Sequence, residues 1–148
     1  MNQVISRVDN SAQEVCAVVV PITSTTRRVP QSGNGDASKA ELIADKGVYV
    51  LHQAEAGSYP SGHALVHVVR PIAGVKVSIG TNAKPDLFFK DADLGTVATL
   101  KATDASLVAD LGDNQIIMTV TGSVDPTKDG YARVTIPLVS THTITTYR

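Results

Sequence analysis

The chain has 148 residues, the length of one ordinary domain. Lys and Arg number 13 against 14 Asp and Glu, so the net charge is -1, which argues against attachment to nucleic acid or an anionic membrane by bulk electrostatics. An apolar share of 43% argues against a disordered chain, and a single cysteine, Cys16, leaves no intrachain disulfide and no multi-cysteine zinc site.

Residues 1–8 alternate weakly, with Val4 and Ser6 on one side and Ile5 and Arg7 on the other, before a turn cluster at Asp9-Asn10-Ser11. The apolar run 15–22 reads as a buried strand stopped at or just beyond Pro21, with Cys16 inside it as a small hydrophobe. Residues 23–29 are polar and extended. The segment 30–38 is a loop rich in Gly, Pro and turn formers. Residues 39–45 fit one helical turn or a strand end, and 47–51 fits a strand. A second loop spans 56–62, and 63–70 is a strand closed by Pro71.

Strict alternation over 74–80 predicts Val75, Val77 and Ile79 inward with Lys76 and Ser78 outward, the pattern of a sheet wet on one face. A short strand is expected at 86–90. The stretch 91–114 fits either short strands or a helix of one or two turns within 104–111. Residues 116–124 and 131–140 are strong strand patterns. The turn between them ends in Asp129-Gly130, which supplies a positive φ, and together they predict a hairpin. In the tail, threonines 141, 143 and 145 share one face, and His142, Ile144 and Thr146 the other.

Abundant Val and Thr, 11 Gly, 7 Pro and no Trp point to one all-β domain over 1–148, a β-sandwich or jelly-roll-like barrel with at most one or two short helical turns. Residues 1–8 and 141–148 are expected as extended arms that contact neighbours through Val4, Ile5, His142, Ile144 and Tyr147. No secretory signal, bilayer-spanning run, glycosylation sequon or repeat is visible.

Candidate chemistry is sparse. Pro60-Ser-Gly-His63 resembles the central motif of the acid-phosphatase and lipid-phosphatase family, but that family's upstream and downstream Arg/His blocks have no counterpart. His63 and His67 have the spacing of a metalloprotease pair, yet Ala64 stands where that motif needs glutamate. In a strand the two lie roughly 13 Å apart, too far to share a metal. Gly33-Asn-Gly lacks the third glycine and βαβ setting of a nucleotide site. The run 91–95 resembles a calcium loop, but Ala102 at its twelfth position cannot coordinate through its side chain. Turn capping accounts for Asp9, Asp36, Asp45, Asp113, Asp125 and Asp129. Four Tyr and two Phe offer few platforms for stacking sugars or bases. No cofactor or metal is expected.

In size, β content, richness in Thr, Val, Ala and Gly, and lack of signal, paired cysteines or catalytic motif, the chain resembles small virion proteins of tailed phages, especially those that decorate or cement a capsid. The resemblance implies a non-enzymatic homo-oligomer on a shell of major capsid protein, assembled in the host cytoplasm and binding neither nucleic acid nor membrane. An alternative is a binding module, an adhesin or receptor-binding fibre domain, that uses the loops 30–38 and 56–62 as its recognition edge.

Overall fold

A computed structural model describes residues 11–54, 58–104 and 115–143, with side-chain environments given for all of these except 11–16 and 140–143. In chain order the strands are β1 Ser11–Thr23, β2 Arg27–Arg28, β3 Glu41–Leu42, β4 Val48–Gln53, β5 Tyr59–Pro60, β6 Leu65–Arg70, β7 Lys76–Thr81, β8 Phe89–Asp93, β9 Ala98–Lys101, β10 Gln115–Thr121 and β11 Tyr131–Thr143. Two 3-10 turns, Gln31–Gly33 and Ala37–Lys39, lie between β2 and β3, and Asp104 also has 3-10 conformation. The all-β reading therefore holds.

Every strand pair is antiparallel. One sheet has the order β1-β11-β6-β9, with β5 also on β11; a second has the order β4-β10-β7-β8; β2 and β3 form a small ribbon. The eight main strands pair from the ends inward: β1 with β11, β4 with β10, β6 with β9, β7 with β8. This is a long hairpin rolled up so that its arms alternate between two sheets, the jelly-roll arrangement.

Both sheets bury one face. Val18, Val20, Ile22, Val66, Val68, Ala132, Val134, Ile136 and Leu138 of the first sheet meet Tyr49, Val77, Ile79, Phe89, Ala92, Ile116, Met118 and Val120 of the second in one apolar cluster. Period-two alternation makes this possible, since each strand sends every second side chain inward. Val75, Val77 and Ile79 are fully buried while Lys76 is exposed and Ser78 half-buried, as the alternation predicts.

The rolled topology overturns the expected hairpin. β10 pairs with β4 and β7, whereas β11 pairs with β1, β5 and β6. The intervening turn thus bridges two sheets instead of closing one. Its Asp125 side chain accepts from the Thr127 N–H at 2.9 Å. The positive φ lies at Gly122, at +100°, where a Cβ would come within 2.0 Å of the Gly74 carbonyl oxygen. Gly130 instead allows close packing: a Cβ there would meet Ile72 Cγ1 at 2.6 Å and Ser24 Oγ at 2.8 Å.

Other element boundaries also differ from the sequence reading. β1 runs through Pro21 and alternates between buried and exposed, because it is an edge strand in which a proline costs no ladder bond. β8 begins at Phe89, three residues later than expected, because 86–88 turn to bring the Phe88 N–H onto the Ile79 carbonyl at 2.8 Å. Ser11, expected in a turn, opens β1. The helical turn expected within 104–111 and the alternation over 1–8 fall outside the described residues, apart from Asp104.

Candidate functional site: an open strand edge and the candidate histidines

The first sheet ends at β1, its longest edge. Which backbone groups face outward follows from three hydrogen bonds. The Thr23 N–H donates to Thr26 Oγ1 at 3.0 Å, the Thr23 carbonyl accepts from the Thr26 N–H at 3.3 Å, and the Pro21 carbonyl accepts from Arg28 Nη2 at 2.9 Å. In a strand a residue's N–H and C=O point to the same side and successive residues alternate. The odd-numbered residues of β1 therefore aim away from β11. Pro21, lacking an N–H, fits only on that side.

The edge is thus divided. Thr26 and Arg28 close it at Thr23 and Pro21. From Val19 back to Ser11 no described residue pairs with it. Ala17, Val19 and Pro21 are exposed on the outer face, Val19 at 54%, while Val18, Val20 and Ile22 fill the core. Arg28 is partly withdrawn from water, which lowers its pKa from the ordinary guanidinium value, and its Nε is buried without a partner.

At the far end of this edge Ser11 is paired with Thr143, the last described pair of the two strands. Of the expected contact residues, His142 lies in β11 opposite Ala12. Val4, Ile5, Ile144 and Tyr147 lie outside the described residues.

The histidines singled out in the sequence are engaged with their own neighbours. His63 Nδ1 lies 3.0 Å from the Ala102 carbonyl and its Nε2 3.2 Å from Asp104 Oδ1. His67 Nδ1 lies 2.6 Å from Thr99 Oγ1. Each tethers β6 or its approach to the β9 region. No group of three potential metal ligands occurs among the described residues. The Asp36 and Asp125 carboxylates hold turns. Each has its pKa lowered from the ordinary value, first by a hydroxyl (Ser38 and Thr127 respectively) and then by the same residue's backbone N–H. Asp45 accepts from the Gly122 N–H at 2.8 Å, and Asp129 pairs with Arg70 at 3.1 Å.

The two candidate recognition loops attach to different sheets. The first follows the edge of β4, bridging Pro30 to Tyr49, and its Gln31 amide donates to Asn82 and to Gln115 Oε1. A groove of about 490 Å³ between this loop and the sheet is lined by Val29, Gln31, Asn34, Gly35, Val50, Gln53 and Gln115. The described part of the second loop pairs Tyr59 and Pro60 with Val139 and Leu138.

Sequence reasoning missed the edge itself. Its signal was present in Pro21 within an apolar run and in the arginine pair at 27–28, but both acquire meaning only once the neighbours of β1 are known.

No sequence-family model and no curated protein matches the chain. Among solved structures, it is similar to a chain described as "Cyanophage Pam1 capsid asymmetric unit", with a TM-score of 0.54 and 15% identity, over 88% of this chain and 86% of that one. At that identity the likeness is one of fold.

Proposed function

We propose that the chain is a structural subunit of a phage virion, a decoration or stabilising protein that binds the major capsid shell as a homo-oligomer. The observation that carries this reading is the likeness in fold, over 88% of this chain, to a chain of a cyanophage capsid asymmetric unit. The site geometry is consistent with it. The candidate histidines and turn aspartates are spent on holding the fold, whereas the prominent unspent feature is a strand edge with an apolar rim. On this reading residues 1–8 and 141–148 serve as arms that contact neighbours through Val4, Ile5, His142, Ile144 and Tyr147.

Such a protein works by surface area. Backbone hydrogen bonds and apolar contacts, repeated at each symmetry position, hold the shell without bond-making chemistry. In this reading the protein is assembled onto particles in the host cytoplasm.

The test is to band particles from producing cells on a density gradient and quantify their proteins by mass spectrometry. The reading expects this chain to band with the major shell protein in a fixed ratio. Recovery of the chain only in the particle-free fraction overturns it.

A further inference from the structure

We propose that two copies of this chain associate through the open edge of β1, antiparallel, about a two-fold axis at Val15. This deepens the assembly reading by naming a partner and a register, and it stands or falls on solution behaviour alone.

The other sheet edges are blocked. β4 is shadowed by the loop that bridges Pro30 to Tyr49. β8 is interrupted by a register shift and by Asp91 at φ +52°, and it carries Lys90, Asp91 and Asp93. β9 has only four residues and ends in Lys101. Bulges, charge, brevity and cover are the devices that keep strand edges from pairing. β1 has its own device, Pro21 with Arg28, but only at one end. Its other nine residues, 11–19, contain no proline, no lysine and no arginine, and one charge, Glu14.

The odd residues 11, 13, 15, 17 and 19 turn their N–H and C=O groups to that side, where no described residue pairs with them. Two such edges pair with full hydrogen bonding only if odd residues face odd residues. An axis at Val15 sets Ser11 opposite Val19, Gln13 opposite Ala17 and Val15 opposite itself, so all nine residues are used. It also sets Glu14 opposite Cys16, so the two carboxylates do not face each other directly, which would be unfavourable. The pairing joins two four-strand paths into one continuous sheet and extends the outer rows that begin at Ala17 and Val19. A second copy is the partner this self-matching strand fits, because an isologous contact requires one patch to complement itself.

The register predicts one cross-link. Directly opposed residues on antiparallel strands lie about 5.5 Å apart at Cα, within disulfide reach. In a Cys16→Ser background, Val15→Cys forms a covalent dimer on mild oxidation. Gln13→Cys alone does not, since two copies of residue 13 lie roughly 13 Å apart along the strand. Gln13→Cys mixed with Ala17→Cys, each in that background, does.

Sedimentation of the full chain supplies the second arm. The wild type reaches a dimer as concentration rises, and Ala17→Pro stays monomeric at concentrations at least tenfold higher. Its circular dichroism is unchanged, because that N–H faces outward as the ring of Pro21 does. Amide exchange requires no variant: Gln13, Val15, Ala17 and Val19 gain protection with concentration, while Cys16 and Val18 are protected throughout. A wild type that is monomeric at all concentrations overturns the proposal and leaves the edge to a strand of another protein. Cross-linking through Gln13→Cys instead of Val15→Cys overturns the register. Either result leaves the particle-banding test untouched, and failure of that test leaves these outcomes untouched.

Discussion

Replacing Leu138 by alanine tests whether the two sheets share one core. Leu138 is 1% exposed, faces the second sheet from β11, and lies across from Cys16 on one side and Pro60 on the other. Truncation removes three carbon groups, about 2.4 kcal/mol at ~0.8 kcal/mol each. The cavity adds more, on the order of 1 kcal/mol if tens of Å³ remain unfilled at ~24 cal/mol per Å³. The expected loss is therefore about 3–4 kcal/mol, a large part of a total of roughly 5–15. At ~2–4 °C per kcal/mol for a chain of this size, Tm falls by about 6–16 °C. Urea denaturation followed by far-UV circular dichroism, at fixed protein concentration, reads the change as a lower midpoint with an unaltered slope. Val69→Ala, at a site 41% exposed on β6, is the control and shifts stability by about 0.5 kcal/mol. A loss below about 1 kcal/mol for Leu138→Ala, or equal losses at both sites, would refute the account of the core.

Gly122→Ala should destabilise by several kcal/mol and shift β10 against Gly74, because φ is +100° and the added Cβ meets a carbonyl oxygen; a thermal melt within a degree of wild type contradicts this. Tyr49→Phe removes the oxygen that accepts the Ala44 N–H at 2.9 Å at a fully buried site and should cost about 1–3 kcal/mol, read by urea midpoint. Asp36 and Asp125 have depressed folded-state pKa values, so their contribution is full above the ordinary carboxylate value of 3.8 and is lost as pH falls through the lower folded value. The double Asn variant should accordingly flatten part of the acid limb of a stability–pH profile below about pH 4 and leave its neutral region parallel to wild type. Deleting 144–148, which begins beyond the last described pair, Ser11 with Thr143, should reduce particle association while shifting the urea midpoint little; a collapse of the midpoint contradicts the assignment of these residues as arms.

Much of the fold is legible in the amino-acid order because alternation is a local property. Val75, Val77 and Ile79 declare their face without reference to any partner, and the loop at 30–38 is marked by its glycines and Pro30. Partner choice is not local. Val124 to Tyr131 carries the cues of a tight hairpin, but the strands on either side are claimed by β4 and β7 and by β1, β5 and β6. Pairing first with last costs loop-closure entropy that no short window reveals. The same gap hid the candidate site: residues 15–22 read as an ordinary buried strand, and Ser11 as part of a turn, until the pairing order placed β1 at an edge. Pro21 then changed from a terminator to a guard, and Arg28, read only as part of a polar extended segment, became its clasp.

The central claim is that this jelly roll serves by occupying a place on a phage shell. A cryo-electron-microscopy reconstruction of density-banded particles, at a resolution that separates strands, tests it most directly. The account predicts density for two apposed four-strand sheets with the nested pairing order at symmetry-related positions on the capsid exterior. Particles whose complete shell density is accounted for by other chains would contradict it.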